Sequence, residues 1–83
     1  MYWHKHLKLE SIINMSDIII SDIKRNRNIR LYDINYLESL LTFKDAVKFI
    51  KAYYTNDLLS LEYALIDLKK DASKKLIQFH KRN

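Results

Sequence analysis

The stretch that decides the fold runs from residue 57 to residue 80 and reads DLLSLEYALIDLKKDASKKLIQFH. Its apolar residues repeat at alternating steps of three and four, at Leu58, Leu61, Leu65, Leu68 and Ala72. That spacing is typical of the packed face of a helix in a coiled coil or bundle. Leu76 and Phe79 continue the face after one extra step of four, so the pattern predicts a long helix over 57–80.

The opposite side of this helix is apolar too. At about 100° per residue, Leu59, Ile66 and Ile77 project almost opposite the Leu58–Phe79 face. In so small a bundle, one expectation is that the helix lies centrally, with other helices covering both sides. The alternative makes Leu59, Ile66 and Ile77 a candidate protein interface, in contact with a larger partner or a second copy.

The composition excludes most other architectures. The 83 residues contain no glycine, no proline and no cysteine. Two-residue hairpin turns and phosphate-binding loops depend on glycine, and disulfides and thiolate metal sites need cysteine. Hydrophobic residues make up 48% of the chain, enough for a packed core. We therefore predict an all-α fold, a small bundle of three to four helices forming one domain over 1–83.

Three further helices are predicted, over 4–25, 35–41 and 43–54. The first has an apolar stripe through Ile12 and Ile19, with a possible break in 14–17, where Ser16 and Asp17 are good N-cap residues. Asn26 or Asn28 is expected to end it, because asparagine tolerates left-handed backbone geometry.

Two capping patterns introduce the short helices. Asn35 with Glu38, and Thr42 with Asp45, have the spacing of a capping box. The helix over 43–54 then has the clearest amphipathic division in the chain. Lys44, Lys48 and Lys51 lie on one side of it, and its apolar face consists of Phe43, Ala46, Val47, Ile50, Tyr53 and Tyr54.

The net charge of +5 is concentrated in two basic patches. The first basic patch is Lys24, Arg25, Arg27 and Arg30. The second basic patch is Lys69, Lys70, Lys74, Lys75, Lys81 and Arg82. Cations near a helix C-terminus are favoured by the macrodipole, which explains the second patch without a ligand. The first patch is not explained in this way, because ending a helix does not require four cations in seven residues. Three of them are arginines, whose guanidinium groups suit the geometry of phosphate.

Both patches are candidate nucleic-acid or anion contacts. If they lie at one end of the bundle, they could neutralise several phosphates and give salt-dependent binding of DNA or RNA. Tyr2, Trp3 and Tyr32 are candidates for stacking on bases.

No catalytic, cofactor or metal site is expected. His4 and His6 are two apart, and on a helix such residues point to different sides and cannot chelate one ion. In an extended terminus they could, but exposed terminal histidines without a metal are expected. Asp67 and Asp71 share a helix face with Lys70 and Lys74, as in an ordinary salt-bridged helix. The sequence therefore predicts a protein that is not an enzyme and uses no cofactor.

The expected function is a small non-catalytic interaction protein, an accessory subunit or adaptor that docks on a larger protein; a nucleic-acid-processing complex is one setting considered for it. The alternatives are a basic DNA- or RNA-binding regulator and an inhibitor or immunity-type protein. No small-molecule substrate is expected. The N-terminus lacks the pattern of a signal peptide, and residues 12–23 are too polar to cross a bilayer, so a cytoplasmic protein without membrane contact is expected.

Overall fold

A computed structural model describes the backbone of residues 2–81 and the side-chain surroundings of residues 5–81. It contains four helices in this range and no strand: α1 (Tyr2–Lys24), α2 (Leu31–Leu40), α3 (Phe43–Tyr54) and α4 (Leu58–Lys81). The all-α prediction and the long C-terminal helix are confirmed.

The antiparallel pair formed by α1 and α4 is the frame of the fold. At one end the His6 ring lies 5.1 Å from the His80 ring, and further along Lys69 Nζ lies 2.6 Å from Asp17 Oδ1. The two short helices cover part of this frame, since α2 packs on α1, α3 packs on α4, and α2 contacts α3.

All four helices contribute to one hydrophobic core. Its fully buried apolar side chains are Ile19, Ile34, Leu37, Phe49, Leu61 and Leu65. Burying a side chain of this size contributes about 1.5–3 kcal/mol relative to leaving it exposed. The predicted packed face of α4 is confirmed at Leu61, Leu65 and Ala72, whereas Leu58 is exposed.

The possible break in α1 does not occur, because the helix runs without interruption through residues 14–17. Met15, Ser16 and Ile19 are all buried in this segment. Packing of a continuous helical face against the core thus overrides the N-cap preference of Ser16 and Asp17.

Asparagine takes the place of glycine at two helix ends. Asn26, after α1, has φ of 55°, and Asn56, after α3, has φ of 56°. The prediction for Asn26 is confirmed. Both residues adopt the left-handed conformation that ends a helix, which asparagine reaches more easily than most side chains.

Side-chain caps begin α3 and α4. Thr42 Oγ1 accepts a hydrogen bond from the Asp45 backbone N–H at 3.4 Å, as the sequence predicts. Before α4, Asp57 Oδ1 accepts from the Ser60 N–H at 3.1 Å, and the Ser60 hydroxyl donates to Asp57 Oδ2 at 2.8 Å.

The predicted start of α2 at Asn35 is wrong. The helix begins at Leu31, and Asn35 and Glu38 lie inside it. An earlier start places Ile34 and Leu37 in the core, and this burial outweighs the cost of an N-cap without a side-chain hydrogen bond. Asp33, buried in the first turn, lies 3.3 Å from the Arg30 guanidinium and complements the positive end of the helix dipole.

Candidate interaction surfaces

The apolar face predicted for α3 points largely to solvent. Phe43 is 86% exposed, Tyr54 is 68% exposed and Val47 is 47% exposed, whereas Ile50 is half-buried. These four residues, which we call the α3 stripe, lie along one side of the helix. Of the predicted face, only Ala46, Ile50 and Tyr53 are partly buried.

The core side of α3 is formed instead by Phe49 and Ala52. Phe49 projects roughly 120° around the helix from Phe43. The helix is therefore rotated so that its most apolar face does not point at the core. No apolar repeat in the sequence is centred on Phe49, so the pattern does not predict its place in the core. The size of the phenylalanine ring was the remaining signal, since burying it stabilises more than burying Val47.

Lysines flank the α3 stripe on one side. Lys44, Lys48 and Lys51 are all exposed, and none of them forms an ion pair with a residue that the structure describes. Lys48 borders a groove between α3 and α4 of about 170 Å³, which Asp67 and Asp71 also line. The charge of Lys48 is therefore partly balanced within the protein, while Lys44 and Lys51 are not among the residues lining that groove.

The second apolar stripe of α4 is uncovered as well. Leu59 is 65% exposed, Ile77 is 56% exposed and Ile66 is 39% exposed. The expectation of a central α4, covered on both sides, is therefore wrong, because α2 and α3 are too short and lie elsewhere on the frame. Tyr63, also exposed, joins Leu59 and Ile66, whereas Lys70 lies between Ile66 and Ile77.

A half-open cavity of about 430 Å³ lies between α1, α4 and the link from α2 to α3. Leu9, Ile12, Leu68 and Ala72 are among its apolar lining residues. Its polar lining includes Lys5, Lys8, Thr42, Asp45, Asp71, Lys75 and Gln78. The sequence did not indicate this cavity, since its lining comes from residues far apart in the chain.

The first basic patch occupies the turn between α1 and α2, and all four of its cations are exposed. Beside it, Tyr32 is 70% exposed and stacks with Tyr36, with ring centroids 6.3 Å apart and planes at 20°. The Arg30 guanidinium carbon lies 5.9 Å from the Tyr32 ring centroid. Cations and exposed aromatic rings are therefore adjacent at this turn.

The second basic patch lies along the other half of α4. Lys69 pairs with Asp17, and Lys75 Nζ lies 3.1 Å from Asp71 Oδ2. Lys70, Lys74 and Lys81 are exposed, and Arg82 lies outside the described residues. The side chains of Tyr2 and Trp3, the other candidates for base stacking, also lie outside the described set.

The two patches do not converge. Because α1 and α4 are antiparallel, the end of α1 at Lys24 lies level with the beginning of α4, at the opposite end from Lys81. Along the axis Lys81 lies roughly 30 Å from Lys24, whereas Lys69, level with Asp17, lies roughly 10 Å from it. The second patch therefore extends away from the first along α4, and the patches do not lie together at one end of the bundle.

His6 of α1 and His80 of α4 lie together at one end of the helix pair. His6 Nε2 lies 3.4 Å from Glu10 Oε1, and the His6 ring is 6.0 Å from Phe79 as well as close to His80. The His4 side chain lies outside the described residues. Within those residues, no group of three or more histidine, cysteine, aspartate or glutamate side chains is arranged to hold a metal ion.

No helix among residues 2–81 combines the length and the hydropathy needed to cross a membrane. Comparison with known proteins found no matching family model, and neither the curated proteins nor the solved structures gave a match.

Proposed function

We propose that this chain is a small non-catalytic docking protein, an accessory subunit or adaptor that binds a larger protein. The observation that carries the proposal is the exposure of two apolar stripes on neighbouring helices, the α3 stripe and the Leu59–Ile66 part of α4. A single exposed leucine is normal on a protein surface. Apolar side chains exposed at helical spacing along two helices are typical of a surface that another protein covers.

The exposure of Phe43 is the sharpest part of this support. A phenylalanine at 86% exposure contributes almost nothing to the core, and a polar residue there would favour solubility. Aromatic residues are enriched at protein interfaces, where they contribute much of the binding energy. Phe43 is therefore expected to be buried in a complex.

Site-specific photocrosslinking tests the docking function. A photoreactive amino acid at Val47 or at Leu59 is expected to give a discrete adduct in lysate of the source organism. The same group at Asn35, exposed and polar on α2, serves as the control and is expected to give none. A chain that stays monomeric by light scattering and gives no adduct at Val47 or Leu59 would refute the proposal.

A second candidate function is nucleic-acid binding through the first basic patch. The observation favouring it is the exposed Tyr32–Tyr36 pair beside Arg30, since proteins that bind single strands combine cations with aromatic rings. Reversing the charges of Arg25 and Arg27 is expected to abolish binding to a fluorescent oligonucleotide, whereas reversal at Lys74 is expected to leave most of it. Affinity that is indifferent to salt would refute this candidate.

A further inference from the structure

We propose that the α3 stripe binds an amphipathic helix of another protein, one that carries glutamate or aspartate beside its own apolar stripe. This inference rests on the proposed docking function and specifies the chemistry of the partner.

The spacing of the α3 stripe favours a helix as the occupant. Phe43, Val47, Ile50 and Tyr54 follow one another at steps of four, three and four, as the d, a, d and a positions of a heptad do. Side chains at this spacing insert between the side chains of a second helix lying alongside. Half-buried Ile50 anchors the stripe to the core, and its other three members are exposed.

The charge beside the stripe favours an acidic partner. Lys44 follows Phe43, and Lys51 follows Ile50, so both occupy e positions of the heptad. Residues at e and g positions contact the charged flank of the facing helix and determine which partner binds. Both lysines are exposed, so a partner helix with carboxylates on its flank would complement them.

The same charges disfavour a second copy of this chain as the occupant. A two-fold symmetric pairing of α3 with itself is either parallel or antiparallel. In the parallel arrangement the e positions face g positions, which are Ala46 and Tyr53 and offer the lysines no carboxylate. In the antiparallel arrangement the e positions of the two helices come together. Lys44 of one copy would then face Lys51 of the other, and such like-charge contacts destabilise a pairing.

The contact is expected to be modest in strength. The twelve residues of α3 span roughly 18 Å, so one helix lying on them buries less than the standard interface of about 800 Å² per partner. We therefore expect a Kd for an isolated helix on the order of micromolar.

Two designed peptides test the inference against the intact chain. Both are three-heptad helices with leucine at a and d, and they carry either glutamate or lysine at every e and g position. This design presents the same charge to α3 whether the peptide binds parallel or antiparallel to it. The like charges also keep each peptide from pairing with itself. Fluorescence anisotropy at low salt is expected to show the glutamate peptide binding about tenfold more tightly, with the ratio shrinking as salt rises.

Variants of α3 locate the binding. Val47→Glu is expected to abolish binding of the glutamate peptide, while Asn35→Glu, at an exposed position of α2, leaves it unchanged. Circular dichroism of both variants verifies folding. The double variant Lys44→Glu with Lys51→Glu is expected to reverse the preference, so that the lysine peptide binds more tightly. A purely structural role for the two lysines does not produce such a reversal.

The outcomes separate the two proposals. Equal binding of both peptides, or a preference that survives the charge reversal, overturns the acidic-helix inference. If the protein forms a dimer that Val47→Glu dissociates, the acidic-helix inference is overturned as well, because a second copy of the chain then occupies the α3 stripe. Absence of peptide binding with a persistent adduct at Leu59 overturns this inference alone, whereas loss of both signals overturns the docking function as well.

Discussion

Lys69 of α4 and Asp17 of α1 form an ion pair between the two long helices, with Lys69 Nζ 2.6 Å from Asp17 Oδ1. Lys69 was a candidate anion contact on the basis of sequence. Its proximity to Asp17 gives it a partner within the protein and reduces the positive charge that the middle of α4 presents to solvent. Both side chains remain substantially exposed, so the pair is screened by water and salt.

We expect the Asp17–Lys69 pair to contribute little stability. A double-mutant cycle of Asp17→Asn and Lys69→Met is expected to give a coupling free energy below about 1 kcal/mol, as measured for exposed ion pairs. The coupling should shrink further in high salt. Urea denaturation of the four proteins measures it, and a salt-resistant coupling of several kcal/mol would contradict the expectation.

The two phenylalanines of α3 test its rotation. Phe49→Ala empties a fully buried position and is expected to cost about 3–5 kcal/mol of the free energy of unfolding. Phe43→Ala changes an exposed position and should alter stability by no more than about 0.5 kcal/mol. Thermal denaturation of both variants measures the contrast. Equal losses, or a larger loss at Phe43, would mean that α3 presents its amphipathic face to the core.

Ser16→Ala is expected to stabilise the protein. Ser16 is fully buried, and its hydroxyl has no hydrogen-bond partner among the residues that the structure describes. Removing an unsatisfied buried hydroxyl removes a desolvation cost, and we expect a gain of about 1 kcal/mol, together with alanine's higher helix propensity. Ser11→Ala, partly exposed on the same helix, is the control for propensity alone. An unchanged or lower melting temperature for Ser16→Ala would contradict the prediction.

The cap of α4 gives a dependence on acid pH. The Ser60 backbone N–H and then the Ser60 hydroxyl donate to Asp57 and lower the pKa of its carboxyl group. A lowered folded-state pKa means that the charged cap stabilises the protein above the ordinary aspartate pKa of about 3.9. This stabilisation is lost as the pH falls through the folded-state value.

Thermal melts between neutral and acid pH measure this effect. The wild-type melting temperature is expected to approach that of Asp57→Asn as the solution is acidified, because the amide retains an acceptor oxygen but does not titrate. The Ser60→Ala variant lacks one of the two donors to Asp57. In that variant, the further change Asp57→Asn should lower the melting temperature at neutral pH by less than it does in the wild type. A difference that stays constant across this range would exclude Asp57 as the titrating group.

The all-α fold and the packed face of α4 could be predicted from local sequence patterns. Leu61, Leu65 and Ala72 belong to a repeat of alternating three- and four-residue steps over a long stretch, and all three are buried. The cap at Thr42 and the left-handed Asn26 were also predictable, because both depend on a few adjacent residues.

The rest depended on contacts between distant residues. The Asn35–Glu38 pattern predicted a helix start that the burial of Ile34 and Leu37 moved to Leu31. For α3, the sequence showed an apolar face but not its orientation, since Phe49 and Ala52 compete with Val47 and Tyr54 for the core. The interface at Leu59, Ile66 and Ile77 remains a prediction. The exposure of these three side chains is consistent with that prediction.

The antiparallel α1–α4 pair also constrains how the chain folds. Residues that meet across it are 52 positions apart at Asp17–Lys69 and 74 apart at His6–His80. The entropy of closing so long a loop is lost before these contacts stabilise anything, so we expect slower folding than in bundles whose neighbouring helices pair. During synthesis α1 has no α4 to pack on until the ribosome has released α4. A single proteolytic cut between Tyr54 and Leu58 would separate the frame into halves that hold together only by non-covalent contacts.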